Sequence, residues 1–185
     1  MRPVVLQVFE MSLDGIIGEE NTPFFDYCRA LPDDPAHEAS LVSSLERAGV
    51  HVMGRVTYEE MAVHFPTATG PIAEVMNRTP KRVFSRTLQA ADWPESTIAR
   101  GELAEELEAL RRTGTGEILA HGGAGFVRSL ARLDLADEYR LTVFPFVAGS
   151  GRPLFADVAT PRSLELVSST AFADGPVSLV YRRPR

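Results

Sequence analysis

Val4 to Leu13 is dense in Val, Leu and Phe and runs straight into Asp14-Gly15, which predicts a buried strand ending in a turn. Gly15 to Asp34 carries scattered Gly, Pro and Asn and reads as a long loop. Pro35 to Ala48 begins behind Asp33 and Asp34, places Leu41, Val42, Leu45 and Ala48 on one face and meets Gly49. Start and stop signals there agree on a helix. Val50 to Gly54 follows as a short apolar strand, and a helix is expected from about Thr57 to Ala62. Pro66, Thr69-Gly70-Pro71 and Pro80 then predict an irregular connection.

Lys81 to Ser85 reads as a strand. Gly101 to Arg112 lines up Leu103, Leu107 and Leu110 among glutamates and arginines, the pattern of a surface helix docked on a sheet. Glu117 to Ala120 is the next strand, and after glycines at 122, 123 and 125 the stripe Phe126, Val127, Leu130, Leu133 predicts another helix. From Asp137 the period changes to two, with Tyr139, Leu141 and Val143 alternating with Glu138, Arg140 and Thr142. Leu164 to Ala173 and Val177 to Arg182 form an expected hairpin turning at Asp174-Gly175-Pro176. Strands and helices that alternate, followed by strands alone, imply an α/β protein with a mainly parallel sheet and antiparallel strands at its C-terminal end.

With 185 residues and no internal repeat, low-complexity tract or linker, residues 1–185 are expected to form a single domain. A formal charge of −6 argues against nucleic-acid or anionic-membrane partners, so an anionic ligand would need a local site. The lone Cys28 cannot form an intrachain disulfide, and no signal peptide or membrane span is evident, so a soluble, cytoplasmic protein is expected. His37, His51, His64 and His121 lack metal-ligand spacing and no metal is expected; no serine sits in a G-x-S-x-G elbow.

Three segments carry candidate chemistry. In Val52-Met53-Gly54-Arg55-Val56-Thr57-Tyr58-Glu59 a strand runs through a glycine, a cation and a hydroxyl into a helix, which builds an anion site or, equally, a helix cap beside a solvated arginine. In His121-Gly122-Gly123-Ala124-Gly125 glycines at a strand-to-helix junction admit a diphosphate against the main chain, although a structural turn explains them as well. This is no Rossmann fingerprint, because Arg128 holds the third glycine's place. Ser85 and Arg86 end a strand with a hydroxyl and a guanidinium, suited to the 2′-phosphate of NADPH or to a solvated basic turn.

Ser12-Leu13-Asp14-Gly15 with Ile17-Gly18, then Gly54 to Glu59, Lys81 to Leu88, Gly122-Gly123-Ala124 and Pro145 to Phe155 resemble, in order and spacing, the dihydrofolate reductase-like superfamily. Within it the chain is most similar to stand-alone bacterial-type relatives of the RibD C-terminal domain, the reductase half of the riboflavin-biosynthesis deaminase/reductase. The resemblance implies a three-layer α/β/α fold with a mixed sheet of about eight strands, NADPH across the strand ends, and a homodimer, for which the C-terminal strands are the candidate interface. It assigns Gly54, Arg55 and Thr57 to the cofactor phosphates, Ser85 and Arg86 to the adenosine 2′-phosphate, and Gly122, Gly123, Ala124 and Gly125 to the diphosphate and nicotinamide. Asp14 to Gly18 becomes the loop that closes over the nicotinamide.

Hydride transfer also needs a proton source. Glu38 falls about where dihydrofolate reductases keep their pterin-gripping carboxylate, and Asp14 is the second candidate; a solvated first-turn glutamate and a turn aspartate are the plain alternatives. No arginine or lysine lies between Arg55 and Arg78 to hold a folate carboxylate. Nor does the chain carry a zinc deaminase signature. The expected function is an NADPH-dependent reductase of a small planar heterocycle, pteridine- or pyrimidine-like; the alternative is a non-catalytic dinucleotide- or small-ligand-binding protein.

Overall fold

The computed structural model describes residues 1–184. One sheet of eight strands organises the chain: β1 (Val4–Ser12), β2 (Ala48–Gly54), β3 (Lys81–Phe84), β4 (Ser96–Ala99), β5 (Glu117–Ala120), β6 (Glu138–Phe144), β7 (Glu165–Ala171) and β8 (Val177–Arg182). They lie in the order β4-β3-β2-β5-β1-β6-β8-β7. The first six pair in parallel, and β8 and β7 add antiparallel ladders. The expected mixed, mainly parallel α/β/α architecture is therefore present.

Six helices flank the sheet: α1 (Pro23–Ala30), α2 (Pro35–Glu46), α3 (Arg55–His64), α4 (Pro71–Arg78), α5 (Leu103–Arg112) and α6 (Ala124–Arg132). Leu107 of α5 with Val127 and Leu130 of α6 pack on Val4, Leu6, Val52 and Ile118 to fill one face. Leu45 of α2, Tyr58 of α3 and Val75 and Met76 of α4 cover the other, against Val5, Met53, Val83 and Leu119. The central strands read as continuous apolar runs because both their faces are covered.

Two expected loops contain helices. Within Gly15 to Asp34, Thr22 accepts the Phe25 N–H at 3.2 Å and Pro23 opens α1. Within the Pro66 to Pro80 connection, Pro71 opens α4 behind Gly70. Both prolines stand at a helix's first turn, where the missing N–H costs nothing and the fixed φ helps. Lys81, almost fully buried, closes the other end of α4 by donating to the carbonyls of Met76 and Thr79 at 2.8 Å each.

The helix expected over Pro35 to Ala48 ends at Glu46, and Gly49 is a β2 residue instead of its stop signal. A Cβ on Gly49 would lie 1.7 Å from the Thr115 carbonyl oxygen, so close approach of two backbone segments, and not a helix cap, requires glycine there. β4 has no counterpart in the expected elements. It is a four-residue edge strand specified by its register with β3.

Candidate functional site

The parallel strands place the ends of β3, β2, β5, β1 and β6 along one edge of the sheet. Gly54 is in register with Phe84, Ser12 with Phe144, and the His121 N–H donates to the Val52 carbonyl at 3.2 Å. Ligands of α/β sheets gather at this carboxyl edge, because helix N-termini and free turns meet there.

At its centre two junctions are joined. Thr57, in the first turn of α3 and 3% exposed, accepts the Gly123 N–H through Oγ1 at 2.5 Å. Gly122 has φ +115°, and a Cβ there would sit 2.3 Å from Thr57 Cγ2, so only glycine fits. Gly54 approaches Phe126 of α6, whose ring lies 5.3 Å from that of Phe84. Gly54, Thr57, Gly122 and Gly123 thus form one cradle of main chain and hydroxyl. Ala124 sends its side chain into the core, while a Cβ built on Gly125 would meet nothing within 4 Å beyond its chain neighbours and the backbone of its own helix.

The charged candidates already have internal partners. Arg55 bonds Glu59 one turn along α3 at 2.6 Å, with both side chains nearly half exposed. Arg86 pairs with Glu102 at 2.9 Å on the open surface. The Ser85 hydroxyl accepts the N–H groups of Thr87 and Leu88, which makes it the organiser of its own turn. Arg100, which the motif reading passed over, donates to the carbonyls of Ser85 and Leu88. With Phe84, Arg86, Gly101 and Glu102 it borders a cavity of about 230 Å³ beside the α5 N-terminus. Its signal lay only in being a cation one residue past a short edge strand.

Asp14 is a tie between loops. Its carboxylate accepts from the Ser12 hydroxyl at 2.6 Å and from the N–H groups of Ala148 and Gly149 at 3.0 and 2.8 Å. These bonds hold its pKa down to about 2, which leaves no proton for donation. Further main-chain bonds from Leu13 to Phe146, Ile17 to Arg152 and Leu154 to Gly15 close the same two loops together. Glu38 stands exposed in the first turn of α2, and its carboxylate has no hydrogen-bond or ion-pair partner among the described residues.

On the α2 side of this edge three aromatic or imidazole rings line up. His121 and His51, both fully buried, lie 4.9 Å apart, and Phe9 of β1 meets His121 edge-on at 5.5 Å. All four ring nitrogens of the two histidines lack hydrogen-bond partners among the described residues. Burial pushes His121 down to about pKa 4 and, with help from His121 and Lys81, pushes His51 well below the usual range. Farther along, His37 in the first turn of α2 stacks on Phe172 at 4.5 Å and bonds Asp174 through Nδ1 at 2.9 Å. Glu10, at the β1 bulge, has its carboxyl raised by burial, opposed by Arg29.

The strand order, crossovers and glycine-bearing carboxyl edge define an α/β domain of the dihydrofolate reductase-like kind. The chain belongs to the RibD C-terminal domain family, whose profile matches residues 3–178. It is similar to the uncharacterized protein YyaP of Bacillus subtilis (strain 168), 29% identical over 97% of this chain and 94% of that one. Among solved structures it resembles a putative riboflavin biosynthesis protein from Shewanella sp. PV-4, at 24% identity, TM-score 0.81 and 99% coverage of both chains. It also matches a diaminohydroxyphosphoribosylaminopyrimidine deaminase/5-amino-6-(5-phosphoribosylamino)uracil reductase from Thermotoga maritima, at 17% identity and TM-score 0.67. That match covers 99% of this chain and 57% of the other.

Proposed function

We infer that the chain is an NADPH-dependent reductase that delivers a hydride to a small planar heterocycle of pteridine or pyrimidine type. The observation that carries this reading is the joining of Thr57 to Gly122 and Gly123 across neighbouring strand ends. A cradle of glycine main chain and one hydroxyl suits a diphosphate, because N–H groups can reach the oxygens directly. Gly54, Thr57 and Gly122 to Gly125 would hold the diphosphate and nicotinamide side, Arg55 a phosphate, and Ser85, Arg86 and Arg100 the 2′-phosphate end. Bound there, the dinucleotide supplies the hydride; the chain must orient the acceptor, exclude water and provide a proton.

Arg55 and Arg86 are each masked by a carboxylate, so phosphate binding on this reading exchanges Glu59 and Glu102 for ligand oxygens. Fluorescence titration tests the reading directly: NADPH should bind in the micromolar range and more tightly than NADH, and Arg86→Ala should narrow that difference. Absence of binding by either nucleotide below millimolar concentration would overturn it. The alternative of a non-catalytic binder draws on the exposed Glu38 and the committed Asp14, and steady NADPH consumption with any acceptor would exclude it.

We further propose a homodimer through β7. Every residue of this edge strand is exposed, including Leu166 and Val167, and exposed edges of this kind invite pairing. Light scattering at the mass of one chain would refute it. Among the described residues no helix is long and apolar enough to cross a membrane.

A further inference from the structure

We propose that the acceptor reduced at the carboxyl edge carries no phosphate or carboxylate, and that an acidic wall built by residues 13–22, α1, α2 and α3 selects neutral or cationic rings. This rests on the reductase reading and gives the charge of the substrate that reading leaves unnamed.

Charge is spread unevenly along the chain. Residues 10–64 hold eleven carboxylates against three arginines, whereas the rest of the chain holds fourteen against sixteen cationic side chains. The whole negative balance therefore comes from one segment. Within it Arg47, 3.5 Å from Glu117 at the start of β5, and Glu46, 3.2 Å from Arg78, belong to the amino edge of the sheet. The other ten carboxylates fall at the end of β1, in the loop after it and in the first turns of α1, α2 and α3, with Arg29 and Arg55 as the segment's only cations there.

The fold gathers these pieces on one face. Asp34 accepts the Ala173 N–H and holds the start of α2 beside the β7–β8 turn, Phe24 seats α1 on Phe144 and Phe146, and Thr57 seats α3 on the glycine turn. Glu59 and Glu60 follow Thr57 by two and three residues, about 3 to 5 Å along the helix axis. The Glu60 carboxyl is raised by burial and then by Glu20, Glu19 and Glu59, so loop and helix share one acidic space.

That face is also the one left uncovered. Met11, Ile17 and Leu154 are buried with α6 on the opposite side of the sheet, so the tied loops seal that side. Phe9 and Glu10, at the β1 bulge, are only half-buried, and the Phe9 ring meets His121 of the neighbouring β5 end. A Cβ on Gly18 would lie 3.1 Å from Glu10 Oε2, which puts the loop after β1 directly over this carboxyl. Burial raises it, Arg29 of α1 opposes, and it has no hydrogen-bond or ion-pair partner among the described residues. An unpartnered carboxylate there accepts an amino or amidine N–H and repels a phosphate.

The nearby cations are already matched. Arg55 bonds Glu59 at 2.6 Å, Arg152 lies 3.5 Å from Glu19, and Arg29 sits over the Phe25 ring and opposite Glu10. Arg86 and Arg100, proposed for the cofactor phosphate, stand past the ends of β3 and β4, away from β1 in the strand order. Over about 10 Å of water a carboxylate and a phosphate dianion repel enough to shift an equilibrium roughly fourfold, so several acids together amount to about tenfold or more at low ionic strength.

The test uses acceptor pairs that differ chiefly in charge: 5-amino-6-(ribosylamino)uracil against its 5′-phosphate, and dihydrofolate dimethyl ester against dihydrofolate, each with saturating NADPH. Within each pair the uncharged member should have the higher kcat/KM, by about tenfold or more near 10 mM salt and by only a few-fold at about 150 mM. Reversing two exposed charges together, Glu20→Lys with Glu60→Lys, should narrow that ratio about tenfold at low salt. A wild type that does not bind NADPH, or oxidises it with none of these acceptors, overturns the reductase reading and this inference together. An active wild type that prefers the phosphorylated or carboxylated member, or whose preference ignores salt, overturns this inference alone. So does an unchanged ratio in the folded double variant; should that variant fail to fold, the salt dependence of the wild type decides.

Discussion

Acidification should destabilise this protein through two histidines before it reaches the carboxylates. In the unfolded chain His121 takes up a proton near pH 6.5, whereas in the folded chain burial delays protonation to about pH 4. Stability is therefore intact above pH 6.5, falls as the pH drops, and loses nothing more from this residue below about 4. A pKa unit is worth about 1.36 kcal/mol, so His121 alone removes about 3 kcal/mol across that window, a large share of the 5–15 kcal/mol typical of a domain. Where the unfolded chain is protonated and the folded one is not, each buried ring contributes a slope of about 1.4 kcal/mol per pH unit. His51 is shifted in the same direction and adds to it. The Asp14 carboxylate, held near 2, belongs to a lower pH range. Urea unfolding at half-unit steps from pH 7.5 to 4.5 measures the effect, with Trp93, the single tryptophan and 3% exposed, as reporter. His121→Leu should flatten the profile, by up to about 3 kcal/mol at the acid end. Parallel profiles for the two proteins, or an NMR titration of His121 near 6.5, would refute the reasoning.

Three further outcomes follow from the carboxyl edge. Gly122→Ala should lower stability by at least about 1–3 kcal/mol from its φ of +115° alone, with the approach to Thr57 added, and an unchanged thermal midpoint would contradict this. Asp14→Asn should speed amide hydrogen exchange at residues 13–18 and 146–154 together, since one carboxylate ties both loops; exchange confined to one of them would show that the loops move separately. Glu102→Ala should strengthen NADPH binding more than NADH binding at low salt by unmasking Arg86, and equal gains for both nucleotides would separate Arg86 from the 2′-phosphate.

The elements that announced themselves in sequence are those whose fate depends on neighbours in the chain. β1, β2 and β5 are apolar runs cut by glycine, and the β7–β8 hairpin turns at Asp174-Gly175-Pro176. α1 and α4 were hidden because each is eight residues long and opens with a proline that looks like a breaker until its first-turn position is known. β4 is legible only from its partner strand. The same division runs through the site. Glycines at the strand ends could be read because a chain without side chains has few other uses at a strand-to-helix junction. The partners of Arg55, Ser85 and Arg86, and the meeting of His37 with Asp174, depend on tertiary placement that no spacing rule encodes.

The position of β1 also sets when the chain can fold. The first strand of this domain to be synthesised is among the last to be completed, because its two neighbours, β5 and β6, arrive more than a hundred residues later. Until residue 144 has emerged, Val4 to Val8 has no second ladder to join, and nascent chains must carry a central strand that is at most half-paired and apolar except at Gln7. Chain-closure entropy makes such assembly slow, and truncated translation products of this protein should depend on holdase chaperones to remain dispersed.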